Sequence, residues 1–230
     1  ILTNANGADT CRQVSKRQIA IIAELPAVSN SIRTGGTGPE DAAIIIYTSG
    51  TTGFPKGVVV HHGGLVNTAL GQIEVFGLTG EDRILQYSSI YYDSSLAEIF
   101  TSLFSGACLL VFPTQVTADR QAFRTALREQ KVTVLTMSPS TLEHYVPQDF
   151  STLRVLIVAG EVLYKKQVEK FTRQIRCFNG YGLTETSVCA TCEYIDPDRE
   201  YGAIIPIGRA IRGMTIEILD DSLHPVADGE

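Results

Sequence analysis

Apolar and polar positions alternate in blocks along this chain. Short apolar runs of strand length, AAIIIY (42–47), RILQYS (83–88), ACLLVF (107–112), VTVLT (132–136) and RVLIVAG (154–160), punctuate the sequence. Between them lie helix-length segments whose apolar residues suit one buried face: SLAEIFTSLFSG (95–106), DRQAFRTALREQ (119–130), PSTLEHYV (139–146) and YKKQVEKFTRQ (164–174). Strand and helix in alternation predict an α/β fold, a mainly parallel sheet with helices on both faces. In such sheets ligands sit at the carboxyl ends of strands, so the loops that follow strands are the places to search. From about residue 193 the helical period disappears, and YGAIIPIGRAIRGMTIEILDDSLHPVADGE predicts the start of a small β subdomain. AVSNSIRTGGTGPED (27–41) is a polar, Gly-rich linker. The expected organisation is a lead-in segment over 1–39, an α/β core over 40–192 and an unfinished β subdomain over 193–230.

Composition narrows the classes of function. The 230 residues are 44% hydrophobic and 19% charged, ordinary for a globular protein. With 19 basic and 25 acidic residues the net charge is -6, and no Lys/Arg run could track a phosphate backbone, so no nucleic-acid partner is expected. No apolar run approaches bilayer length, and ILTNANGADT lacks the plan of a signal peptide. The expectation is a soluble cytoplasmic protein with no membrane partner, cut from a longer polypeptide, since it starts without Met and ends at VADGE.

Five cysteines, Cys11, Cys108, Cys177, Cys189 and Cys192, suit reduced thiols. The CATC stretch (189–192) lacks the second Cys or His pair that a zinc site needs, and its β-branched surroundings read as a strand rather than the helix start of a redox motif.

YTSGTTGFPKGVVV (47–60) places hydroxyls, glycine amides and a single Lys directly after an apolar run. That is the chemistry of a polyphosphate cradle. A Walker A loop is excluded, because Pro55 precedes Lys56 and Gly57 follows it. The competing reading is a turn-rich hairpin linker.

Together with SSIYYDSSLAEIF (88–100) and NGYGLTETSV (179–188), this loop resembles the core motifs of the adenylate-forming superfamily, and in particular the amino-acid adenylation domains of nonribosomal peptide synthetases. Tyr47 to Val58 match every fixed position of the family loop, and VTVLTMSPS, LIVAGE and IPIGRAI extend the likeness from about residue 40 to the end. The resemblance implies the incomplete N-terminal core of such a domain, with its sheet layers followed by the start of a small β-barrel. It also implies a ligase in which a carboxylate attacks the α-phosphate of ATP with Mg2+ assistance, and the acyl group then passes to the phosphopantetheine of a carrier protein domain outside this chain.

By the same resemblance Thr48, Ser49, Gly50, Thr51, Thr52 and Gly53 would wrap the β- and γ-phosphates, with Lys56 in support. Thr184 would contact the α-phosphate and Glu185 would bind magnesium, the pair forming the catalytic site. Tyr181 would stack on adenine, Asn179 would hydrogen-bond its exocyclic amine, and Ala159 and Gly160 would cover the other ring face. Asp93 would hold the ammonium of an amino-acid substrate; the alternative for Asp93 is a helix cap. The side-chain pocket would be lined by Ser94, Ala97, Thr136, Ile157, Ala159, Gly180, Val188 and Cys189, a small or apolar set suited to a large hydrophobic or aromatic amino acid. Leu183 stands where peptide-synthetase domains usually have Pro and points toward acyl- or aryl-CoA ligases instead. The family's catalytic Lys belongs to a C-terminal lid domain, so a non-catalytic nucleotide-binding fragment is the expected state of this chain alone.

Overall fold

The computed structural model describes Leu2–Thr3, Ala20–Ile21, and residues 35–49 and 54–227. The chain divides into two compact units, Ile1–Thr37 and Gly38–Glu230. In the first, strand β1 (Leu2–Thr3) pairs in parallel with β2 (Ala20–Ile21).

The second unit opens with β3 (Ala42–Thr48) and β4 (Lys56–His61), which pair antiparallel as a separate two-stranded sheet. The continuous apolar run AAIIIY therefore does not enter the parallel sheet as a buried strand. Its residues alternate, with Ile46 buried while Ile45 and Tyr47 are exposed, and Ile46 packs with Val60, Leu65 and Leu96. Helix α1 (His62–Phe76) follows without a break, a helix the sequence pattern did not predict. It stops at Gly77, whose φ of 61° is the left-handed conformation that glycine adopts without steric cost.

The remaining strands, β5 (Arg83–Gln86), β6 (Cys108–Val111), β7 (Val134–Met137), β8 (Val155–Ala159), β9 (Arg176–Tyr181), β10 (Thr191–Tyr194) and β11 (Arg209–Ala210), build a seven-stranded sheet in the order β11-β10-β9-β8-β7-β5-β6. From β6 across to β9 the neighbours are parallel; β10 and β11 extend the β9 edge antiparallel. Connecting helices are α2 (Ser94–Ser105), α3 (Thr114–Ala118), α4 (Arg120–Glu129), α5 (Pro139–Leu142) and α6 (Lys165–Val168). The last two are single turns, shorter than PSTLEHYV and YKKQVEKFTRQ predict. Helix α5 yields to turns and a 3-10 segment at Pro147–Phe150, and α6 runs into turns before β9.

Period-two alternation sorts the parallel strands into two faces. Leu85, Leu135, Leu156, Val158 and Cys177 join Phe123 and Leu127 of α4 in the larger core cluster. Ile84, Val134, Val155, Ile157 and Phe178 point the other way and join Phe76 of α1. Helices thus cover both faces, as the alternation of blocks predicts.

Four segments are tied together at the amino ends of these strands by Asp82, only 2% exposed. Its carboxylate accepts from the Thr79 amide (2.8 Å), Thr133 Oγ1 (2.7 Å) and Arg154 Nε (2.6 Å), and Arg154 Nη2 completes a two-pronged ion pair while also donating to the Gly77 carbonyl.

Candidate active site

A cleft of about 770 Å³ opens on the Phe76 face of the sheet. The alternation explains its wall: Val134 and Thr136 of β7, Ile157 and Ala159 of β8 and Gly180 of β9 share that face, and their strands run toward the cleft at their carboxyl ends. Helix α2 supplies Ser94, Ala97, Glu98 and Thr101, with Asp93 at its head, and the β9–β10 connection supplies Gly182, Val188 and Cys189. Asp93, Ser94, Ala97, Thr136, Ile157, Ala159, Gly180, Val188 and Cys189, scattered over almost a hundred residues, are thereby brought to one cavity, and Gly160 joins them.

Asp93 occupies the N-cap position of α2, yet its side chain makes no capping hydrogen bond. Among the described residues no cation pairs with it. Its carboxylate faces the cleft half-buried and uncommitted.

The connection from β9 to β10 is shaped by unusual backbone. Ser187 and Val188 adopt φ of 59° and 82°, a region that costs a β-branched residue heavily. The conformation is held by Thr68 Oγ1 of α1, which donates to the Ser187 carbonyl at 2.7 Å. A Cβ on Gly182 would collide with the Val188 carbonyl, so the glycine permits this fold of the loop. Thr184 and Glu185 lie on a 3-10 turn in the same connection, with Glu185 exposed, and Tyr181 ends β9 at 44% exposure.

Asn179 lies on the opposite face of β9 from Gly180 and does not line the cleft. It is buried, and its Nδ2 donates to the carbonyls of Ile205 (3.2 Å) and Pro206 (2.9 Å), so only Oδ1 is left to accept from an amine. Thr48 and Lys56 are register partners across the β3–β4 hairpin, with Lys56 and Ser49 exposed. The stretch that the sequence predicts as a phosphate cradle thus joins the two strands of an antiparallel hairpin. Gly50, Thr51, Thr52 and Gly53 lie outside the described residues, as does Cys11.

Glu98 and Gln72, to which the sequence motifs assign no role in the cavity, also line it. Glu98 is 3% exposed and accepts from the Tyr87 amide (3.1 Å), the Ser88 amide (3.2 and 3.1 Å) and Ser88 Oγ (2.9 Å). Desolvation nevertheless dominates and pushes its pKa from 4.5 up to about 7. Glu161, with Ser140 donating to both its oxygens, is a further carboxylate on the wall. The cleft is therefore less neutral than the small, apolar residue set predicts. Because the native state binds the Glu98 proton more tightly than the unfolded chain, this group lowers stability as pH rises from 4.5 to about 7. Thermal unfolding across that range should show the fall, and Glu98→Gln should flatten it.

Among the described residues no three His, Cys, Asp or Glu side chains cluster to hold a metal. A solitary exposed carboxylate such as Glu185 fits magnesium, which is bound through one or two carboxylates plus substrate phosphates rather than a protein cage.

A family model described as AMP-binding enzyme matches residues 7–230. The chain belongs to this family. Among AMP-binding enzymes, tyrocidine synthase 1 of Brevibacillus parabrevis is 37% identical over 191 residues, which are 83% of this chain and 18% of that protein. Its fold is that of an adenylation domain's N-terminal part. PA1221, a nonribosomal peptide synthetase protein containing adenylation and PCP domains, superposes with a TM-score of 0.80 at 26% identity, covering 97% of this chain and 49% of its own. The N-terminal subdomain of Klebsiella oxytoca NpsA, solved with 3-hydroxyanthranilyl-AMSN, gives 0.78 at 24% identity over 89% of this chain and 54% of its own. The chain spans less than a fifth of the curated relative's length. No helix among the described residues is long and apolar enough to cross a membrane.

Proposed function

We propose that this AMP-binding enzyme activates an L-amino acid with a large hydrophobic or aromatic side chain as its aminoacyl adenylate for nonribosomal peptide synthesis. The observation that carries the reading is Asp93: a carboxylate at the rim of a largely apolar cleft, unused as a helix cap, in place to hold a substrate ammonium. Ala97 and Gly180 leave room beyond it for a large side chain.

The substrate carboxylate attacks the α-phosphate of ATP, releasing pyrophosphate. Thr48, Ser49 and the glycine–threonine run to Gly53 offer hydroxyl and amide donors to the β- and γ-phosphates, and Lys56 adds a positive charge. Tyr181, Ala159 and Gly160 flank the adenine, with Asn179 Oδ1 oriented by its two backbone partners. Thr184 contacts the α-phosphate. Glu185, together with the phosphates, would hold magnesium, which would supply neutralisation of the phosphate charge. The aminoacyl group then passes to the phosphopantetheinyl thiol of a carrier domain outside this chain, and AMP leaves. A lid domain supplies the catalytic lysine of the adenylation step.

A second reading, an acyl- or aryl-CoA ligase, is favoured by Leu183, which stands on the site connection at 53% exposure. Exchange of labelled pyrophosphate into ATP by the full-length polypeptide, across the twenty amino acids and a set of aryl and fatty acids, separates the two. Exchange stimulated by an aromatic amino acid supports the first; stimulation by plain acids alone replaces it with the second.

A further inference from the structure

The cleft is longer than the residue set read from the sequence requires. Asp93, Ala97 and Thr101 stand at i, i+4 and i+8 on α2 and all line it. At a rise of about 1.5 Å per residue, the wall continues roughly 12 Å from the Asp93 carboxylate to the Thr101 level. That exceeds the reach of a phenylalanine side chain whose ammonium sits at Asp93.

Phe76, Ile84, Val134 and Ile157 also line the cleft as apolar wall, and two polar groups, Gln72 and Thr101, break it. Gln72, one helical turn before Phe76 on α1, is 7% exposed. It shares the cavity wall with Cys189, whose thiol directs its own proton at the Thr191 carbonyl. Among the described residues no hydrogen bond satisfies the Gln72 amide, which opens on the cavity. Thr101 Oγ1, 4% exposed, donates to the Ala97 carbonyl at 2.6 Å and retains its lone pairs. An amide buried in an apolar wall without a good partner is costly, and a ligand group that completes it recovers that cost.

We propose that Gln72, supported by Thr101, determines side-chain specificity, selecting a long aromatic side chain tipped with a hydrogen-bonding group such as a phenol hydroxyl over a plain phenyl ring. The proposal rests on reading the cleft as an amino-acid site. A hydroxyl here donates to Thr101 Oγ1 or the Gln72 carbonyl oxygen and accepts from the Gln72 amide. A phenyl ring leaves those groups unpaired.

The test is calorimetric titration of the full-length protein with four sulfamoyladenosine analogues: tyrosyl, phenylalanyl, 3-(4-hydroxyphenyl)propionyl and 3-phenylpropionyl. The two hydroxylated analogues should bind about tenfold tighter than their phenyl counterparts, and Gln72→Leu should bring that ratio near one. Thr101→Val, which keeps the shape of the side chain, should reduce it and serves if Gln72→Leu does not fold. A wild-type ratio near one, or a ratio untouched in a folded Gln72→Leu protein, overturns the proposal. The amine contrast is read separately: equal affinity of aminoacyl and deamino analogues overturns the amino-acid reading while the hydroxyl ratio still stands as a measurement. Absence of binding by all four removes both.

Discussion

Asp93→Ala should lower amino-acid-dependent pyrophosphate exchange by the full-length polypeptide by about a thousandfold in kcat/KM. A carboxylate and an ammonium about 4 Å apart attract by ~4 kcal/mol at an effective dielectric near 20, which converts to roughly that factor. The same substitution should leave activation of an acid lacking an amine unchanged or improved, since a half-buried unpaired carboxylate is then removed. Were Asp93 only the cap of α2, its loss would cost about 1 kcal/mol of stability and leave the substrate preference alone. The absence of a capping hydrogen bond makes the first outcome the expected one.

The largest stability effect is expected at Asp82. Removing one member of a fully buried, hydrogen-bonded ion pair costs about 3–5 kcal/mol, and the cost here falls below that range because the Arg154 side chain is 36% exposed and regains water. Asp82→Ala strands the Arg154 guanidinium, Thr133 Oγ1 and the Thr79 amide together. Denaturant unfolding should show a lower midpoint with an unchanged slope. Burial by itself raises the Asp82 pKa, but the hydrogen bonds from Arg154, Thr79 and Thr133 and the guanidinium charge outweigh it and hold the carboxyl below 3.8. The carboxylate is thus stabilising at every pH above 3.8, and that contribution is lost as pH falls through its lower folded value. The alanine variant should lose the acid-side part of the wild-type stability profile, whereas Glu98 acts between 4.5 and about 7 with the opposite sign.

The parallel strands were legible because their apolar runs are short, β-branched and bounded by polar turns; RILQYS, ACLLVF, VTVLT and RVLIVAG all become sheet strands. Helix α1 was not. Gly63, Gly64 and Gly71 lower the helical propensity of HGGLVNTALGQIEVF, and the N-cap residue, His61, offers no capping side chain. Missing α1 hid Gln72. The run AAIIIY misled in the other direction, since unbroken apolarity suggests burial on both sides, whereas the hairpin leaves one side of β3 to solvent. The nine cavity residues were legible only through their motif resemblance. Nothing in local spacing places Asp93, Thr136 and Cys189 together; the sheet order and the period-two alternation do that. Glu98 was visible as part of YDSSLAE, but its near-neutral carboxyl arises from three-dimensional burial that sequence position does not encode.

The partition of β3 and β4 into their own ladder has a thermodynamic corollary. A two-stranded ribbon has little cohesion of its own and depends on the small cluster of Ile46, Val60, Leu65 and Leu96 beneath it. Its backbone pairs can part and re-form as a local fluctuation without disturbing the seven-stranded sheet, so amide protons of Ile44–Tyr47 should exchange with solvent sooner than those of β7 and β8. A nucleotide bound at the proposed phosphate cradle between these strands would raise the free energy of that fluctuation, tying the tempo of strand breathing to its occupancy.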